Sequence, residues 1–128
     1  MNNLLFIYGT LLDSDNEYAV FLRKNSHVYA PGKVKGKLYD IGEYPGAILA
    51  ANTDNYIHGT VLQLNDPEKV LPVIDDYEGF GDDQAKPNLF IRVLTEAQIE
   101  TGPVSCWVYV YNLSVGGLRL IENGIYTK

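Results

Sequence analysis

The chain has 128 residues, with 10 Lys and Arg against 16 Asp and Glu, a formal charge of −6 with both histidines neutral. A chain of this length makes one compact domain over residues 1–128, which buries roughly two-thirds of its unfolded surface and needs no disulfide or metal to hold it. A composition of 46% hydrophobic and 20% charged residues with ten Tyr excludes intrinsic disorder, and the acidic balance disfavours a nucleic-acid partner, whose phosphates repel it.

The one basic cluster, Lys33, Lys35 and Lys37, is too small to reverse that balance. A lone Cys106 forms no internal disulfide and suits a reducing compartment. The N-terminal apolar run is broken by Gly9 and Asp13 and carries no basic residue before it, so it reads neither as a signal peptide nor as a membrane span. The expectation is a cytoplasmic protein without a membrane or nucleic-acid partner.

Leu4 to Tyr8 is a short apolar run closed by Gly9, the pattern of a buried strand. Asp15 or Asn16 caps a helix through about Lys24, with Tyr18, Phe21 and Leu22 on one face. The Pro31-Gly32 pair predicts a turn, and Lys33 to Ile41 then alternates as a strand, Val34, Gly36 and Leu38 to one side. A turn at Gly42–Gly46 leads into an extended piece at 47–51. Residues 52–55 read as a hairpin, and Ile57 to Leu64 as a strong strand. Asp66-Pro67-Glu68 is a helix start, with a cap, a first-turn proline and a first-turn acid. Pro72 predicts an interruption and a second helical start that stops at Gly79. Leu89–Thr95 and Val104–Tyr111 read as strands, and residues 118–122 as one helical turn. About six strands to two helices make an α+β protein with a mixed, barrel-like sheet.

Asp75 to Asp83 holds five acids in nine residues, but no His or Cys lies nearby and the spacing is not that of a calcium loop, so it reads as solvated surface. Asp13, Asp15 and Glu17 alternate as calcium ligands do, yet Tyr18 and Lys24 stand where such a loop needs Gly and Glu. Within the acidic run Glu78 differs. It falls at a helix C-terminus between Tyr77 and Phe80, where the carbonyl end of the helix and apolar neighbours both raise a carboxyl pKa. The alternative is a plain helix-end acid. Tyr8-Gly9-Thr10-Leu11 is a strand end followed by a glycine, where successive backbone N–H groups can converge on a carboxylate or an oxyanion. Any strand-to-loop turn looks similar. Cys106 reads as a core residue, His27 and His58 belong to no triad, and no nucleotide-binding glycine loop occurs. The tyrosines of the strand Trp107, Tyr109, Tyr111 form a packed face, from which a hydroxyl can reach a pocket.

Taken together, Phe6-Ile7-Tyr8-Gly9-Thr10-Leu11, Gly36-Lys37-Leu38-Tyr39-Asp40 with Tyr44-Pro45, His58-Gly59-Thr60-Val61, Ile74-Asp75-Asp76-Tyr77-Glu78-Gly79, Arg92 and Ile121-Glu122-Asn123-Gly124 occur in an order that resembles the γ-glutamylcyclotransferase-like family, including the AIG2-like proteins and γ-glutamylamine cyclotransferases. The resemblance implies a small mixed β-barrel with flanking helices, a catalytic acid/base at Glu78 and a substrate loop at Tyr8, Gly9, Thr10 and Leu11. Tyr44, Arg92 and Tyr109 are further candidates; for Arg92 the alternative is an ion pair with Asp75, Asp76 or Asp82. Departures at Leu12–Asp15 and Gly124-Ile125-Tyr126 bear on the substrate more than on the fold.

The reaction this implies is intramolecular aminolysis of a γ-glutamyl amide, in which the substrate's α-amine attacks its own γ-carbonyl and releases 5-oxoproline and a free amine. It needs no enzyme nucleophile, metal or cofactor, and its partner is a small γ-glutamyl substrate. The rivals are a non-catalytic module of the same fold that binds a small carboxylate or amide, and an acidic interaction domain whose Asp75–Asp83 face meets a basic protein.

Overall fold

The computed structural model describes residues 2–9, 15–42 and 44–126. Strand β1 (Leu4–Ile7) lies between β4 (Tyr56–Leu64), to which it is antiparallel, and β6 (Gly102–Tyr111), to which it is parallel. Its four apolar residues need no alternation because both of its faces are covered. Strand β2 (Ser26–Asp40) pairs with β4 and, at Lys33–Gln98, with β5 (Phe90–Ile99), which forms a long hairpin with β6. The circuit β2–β4–β1–β6–β5 returns to β2 as a closed five-stranded barrel. Strands β3 (Pro45–Leu49) and β7 (Arg119–Ile121) pair with the outer half of β2.

Helix α1 (Glu17–Lys24) starts where Asn16 accepts the Ala19 N–H at 2.9 Å, with an acid in its first turn and bases in its last. Helix α2 (Pro67–Glu78) ends at Gly79, whose φ of 75° is left-handed and suits glycine. No described helix is long and apolar enough to cross a membrane.

The α+β barrel with flanking helices is as expected, and the differences in detail have local causes. Pro31-Gly32 is not a turn. β2 runs straight through it, with Pro31 exposed and Gly32 at the point where β5 passes: a Cβ there would lie 3.2 Å from the Gln98 carbonyl oxygen. Residues 50–55 do not turn a hairpin, because β3 and β4 run in the same direction, each antiparallel to a different half of β2. Pro72 does not interrupt α2. It lies on the exposed side, where the Glu68 carbonyl that it leaves unbonded can meet water. Asp66 occupies the cap position of α2 without a side-chain hydrogen bond. Residues 119–121 are a strand and not a helical turn, drawn out by pairing with Leu38–Asp40 and by the Arg119–Asp40 ion pair at 2.7 Å.

Two cores result, and strand alternation separates them. Phe6, Val34, Leu38, Val61, Cys106 and Val108 belong to a cluster made by strands alone, which fills the barrel. Leu5, Ile7, Leu62, Leu64 and Tyr109, the alternate residues of β1, β4 and β6, meet Leu22, Val70, Leu71 and Ile74 of the two helices in the other.

Candidate active site

The helix–barrel seam is incompletely filled. Past Leu5 and Ile7, where β1 ends at Tyr8 and Gly9, a cavity of about 280 Å³ opens between β1, the C-terminal end of α2, Tyr44-Pro45 and Leu89-Phe90. Its wall is aliphatic and aromatic apart from the tyrosine hydroxyls, the backbone and one carboxylate, Glu78. The Tyr44 ring stands 5.9 Å from that of Phe90. Near the mouth, Tyr77 is 42% exposed and stacks on Tyr18 with ring centroids 4.7 Å apart.

Two carboxylates of α2, one turn apart, occupy different environments. Asp75 receives the Arg92 guanidinium bidentately, Nε at 2.7 Å and Nη2 at 3.1 Å, and the Tyr109 hydroxyl at 2.7 Å. Arg92 and Tyr109 are cross-strand partners in the β5–β6 register, which is why both reach one side chain. The Trp107 ring covers the guanidinium, its centroid 4.3 Å from Cζ, and the ion pair is mostly sheltered from water, with side-chain exposures of 14% and 16%. Glu78 makes no hydrogen bond or ion pair among the described residues. Burial, and then the negative charge of Asp75, push its carboxyl up to about 7. Such a group is part carboxylate and part acid at neutral pH, able both to take and to return a proton.

The Tyr8 ring lines the cavity, but its hydroxyl is committed to the fold, donating to the Tyr109 carbonyl at 2.6 Å and accepting from the Ala47 N–H at 3.4 Å. Burial raises the Tyr8 and Tyr109 phenols well above their usual range, and a hydrogen bond to Asp75 adds to the effect at Tyr109, so both stay neutral donors. Glu78, Tyr8, Gly9, Tyr44 and Tyr109 thus share one cavity wall. Arg92 stands behind it, in the ion pair with Asp75. Thr10 and Leu11 lie outside the described residues. Among the described residues, no three His, Cys, Asp or Glu side chains converge as metal ligands.

Asp75 reads in the sequence both as part of a solvated acidic run and as one of three ion-pair partners for Arg92, and the structure takes the second. Its position three residues before Glu78, on the same helix face, was the available signal. Leu89 and Phe90 read in the sequence only as strand, since nothing local marks an apolar residue as a cavity wall.

A model of the family described as γ-glutamyl cyclotransferase, AIG2-like, matches residues 5–128. The γ-glutamylcyclotransferase family protein YtfP of Escherichia coli K12 is 29% identical over 127 residues, covering 94% of this chain and 92% of that one. Among solved structures, an AIG2-like protein from mouse superposes with a TM-score of 0.73 at 20% identity, over 98% of this chain and 88% of that one. YkqA from Bacillus subtilis superposes with a TM-score of 0.70 at 21% identity, over 98% of this chain but 40% of that longer one. These two likenesses speak for the fold. With the family model spanning nearly the whole chain, the protein belongs to the γ-glutamyl cyclotransferase, AIG2-like family.

Proposed function

We propose that this protein is a γ-glutamyl cyclotransferase that closes a γ-glutamyl amide to 5-oxoproline and releases the amine. The observation that carries this reading is Glu78: a carboxyl on an apolar cavity wall, without a hydrogen-bonding or ionic partner among the described residues, raised to about 7. The substrate's α-nitrogen bonds to its γ-carbonyl carbon while the bond from that carbon to the leaving nitrogen breaks. Glu78 takes the proton from the α-amine and delivers it to the leaving nitrogen. Proton transfer of this kind contributes typically about 10²–10⁴-fold. Holding the two ends of one molecule in the attacking geometry supplies the larger share, since oriented intramolecular reactions reach effective molarities of roughly 10⁵ M and above.

The backbone N–H groups of Gly9, Thr10 and Leu11 hold the α-carboxylate or the developing oxyanion, the latter role being worth about 3 kcal/mol per donor. The rings of Tyr8 and Tyr44 shape the wall. Arg92 and Tyr109 act through Asp75: by fixing its carboxylate they fix the last turn of α2, and with it Glu78. They are positioning residues in this scheme.

The experiment is incubation of the purified protein with a panel of γ-glutamyl amino acids and γ-glutamyl amines, with 5-oxoproline measured by mass spectrometry beside Glu78→Gln. Product from at least one member that falls sharply in the variant is the expected result. Product from none, or undiminished product from the variant, overturns the reading. Binding of 5-oxoproline by calorimetry with no turnover would assign the chain instead to a non-catalytic binding module.

A further inference from the structure

Glu78 and the apolar residues beside it stand at the two ends of one segment. Residues 79–89 leave α2 directly after Glu78 and return at Leu89, which with Phe90 lines the same cavity. The two ends touch: a Cβ on Gly79 would lie 3.5 Å from that of Leu89. Gly79, and the Phe80 N–H donating to the Asp75 carbonyl at 2.9 Å, close the helix. Gly81, with φ 146°, then turns the chain away from it.

Among the described residues, Asn88 is the one amide or charged residue that is buried, at 9% exposure. Its carboxamide is fully engaged with main chain. Oδ1 accepts the Gly81 N–H at 3.1 Å, while Nδ2 donates to the Gly81 carbonyl at 3.1 Å and to the Ala85 carbonyl at 3.2 Å. The side chain thus pairs with Gly81 as a neighbouring strand would. Asn112, just past β6, fastens the other side: its Nδ2 donates to the Asn88 carbonyl at 2.9 Å and its N–H to the Leu89 carbonyl at 3.0 Å. Gln84 ties the segment to Asp76 of α2, and Lys86 joins Gly81 and Asp82 within it. The path of hydrogen bonds from the barrel to the turn after Glu78 therefore runs through Asn112, Asn88 and Gly81. Without the carboxamide, the Gly81 N–H has no acceptor on the barrel side and turns to water. Residues 79–81 then part from Leu89, and water reaches Glu78.

We propose that Asn88 is a positioning residue for Glu78: by clasping Gly81 it holds the end of α2 against Leu89 and Phe90 and keeps the carboxyl on the apolar wall, away from water. The kinetic consequence rests on the cyclotransferase reading above, whereas the placement of the carboxyl does not. The titratable and charged groups that face Glu78 are Tyr8 from β1, Asp75 and Tyr77 from α2, Tyr109 from β6 with Arg92 of β5 behind it, and Tyr44. These groups, and Asp13 and Glu43 outside the described residues, are the same in every protein compared below, so a difference between the proteins reports the clasp.

Glutamate labelled with carbon-13 at its side-chain carboxyl reads Glu78 directly by NMR, its signal being the one missing in Glu78→Gln. In the wild-type protein it should titrate near about 7. In Asn88→Ala the midpoint should move at least half way from there toward 4.5, the value of the ordinary side chain. With a γ-glutamyl compound that the wild type turns over, kcat of this variant at pH 8 should fall about tenfold while KM changes less than about threefold, since orientation is lost and binding is not. Asn112→Ala, on an exposed residue, loosens the outer tie and should move midpoint and kcat the same way by a smaller step; it decides the matter if Asn88→Ala does not fold. Lys86→Ala removes an exposed donor to the same Gly81 carbonyl and should leave both unchanged. A midpoint that stays near 7 in the folded Asn88 and Asn112 variants, or one already near 4.5 in the wild type, overturns this inference whatever the protein catalyses. So does a loss of urea stability with midpoint and kcat unchanged, or an equal shift in Lys86→Ala. Midpoints that move as expected in a protein that turns over no γ-glutamyl compound uphold the clasp and overturn the parent reading.

Discussion

The inner and outer faces of the barrel strands come from the same short segments and end in different states. On β1 and β6, Phe6, Cys106 and Val108 point inward into a cluster of strand residues alone, while Leu5, Ile7 and Tyr109 point outward under the helices. The inner cluster is enclosed by hydrogen-bonded strands, the five of the barrel together with β3 and β7 around Leu38. The outer one is covered by two helices of 8 and 12 residues, which leave a cavity at the end of β1. A closed barrel has no room for a ligand and no tolerance for a charge, so the incompletely covered face is where a carboxyl can be sheltered and still reached. On the cyclotransferase reading, the division of labour that follows is that inward residues set stability and outward ones set chemistry.

Glu78→Gln tests that division with the largest expected effect. It should lower kcat by about 10²–10⁴-fold, the range for loss of a positioned acid/base, with an unchanged far-UV circular dichroism spectrum. In the wild-type protein kcat/KM should rise with pH through about 7, because in the proposed reaction Glu78 must be ionised to accept a proton. A profile flat from pH 5 to 8 would remove Glu78 from the role. Leu38→Ala addresses the inner face. Leu38 is 1% exposed in the cluster made by strands, and its truncation should cost about 2–5 kcal/mol in urea unfolding while kcat/KM of the folded protein stays within about twofold. A comparable loss of activity in the folded variant would mean that the two faces are not separable.

The Asp75 network lies between the two and should respond in an intermediate way. Asp75→Asn removes the charge that helps hold Glu78 high and releases the Arg92 guanidinium nearby. Both changes lower the Glu78 pKa, so the acid limb of the rate profile should move to lower pH. Lost positioning should reduce kcat by about tenfold, a smaller share than the base itself supplies. Arg92→Lys keeps the charge but not the bidentate fork, and is expected to lower kcat less and leave the limb in place. An acid limb that stays near pH 7 in Asp75→Asn would assign the raised pKa to burial alone.

The legible parts of this molecule were those written in local chemistry. An unbroken apolar run marked β1 and strand-forming residues marked β4 and β6, while Asp66-Pro67-Glu68 and Gly79 bounded α2, and so put Glu78 at a helix end, where a carboxyl is reluctant to ionise. What was not legible depended on segments distant in the chain. Nothing near Pro31-Gly32 announces that Gln98 will pass against it, and nothing at residues 119–121 shows that the outer half of β2 offers an edge. Asp75 looks like Asp76 in sequence. Only the β5–β6 register, which sets Arg92 beside Tyr109, makes one of them a partner and leaves the other exposed.

The smallest expected effect concerns stability and comes from the same carboxyl. Glu78 holds its proton up to about pH 7 in the folded chain, against 4.5 for the ordinary side chain. Between those values the folded state binds more protons than the unfolded one, so this group's contribution to stability falls as pH rises from about 4.5 to 7 and is constant above. The full shift would correspond to about 3 kcal/mol, and partial contact of Glu78 with water reduces that to roughly 1–2 kcal/mol. Glu78→Gln cannot ionise and escapes the loss. Wild type and variant should therefore unfold at the same urea concentration at pH 4, and the variant should be the more stable at pH 8. The other titrating groups cancel in the difference between the two proteins, so a difference that does not change with pH would mean that Glu78 is not a sheltered carboxyl, and the outer face would lose its claim to the chemistry.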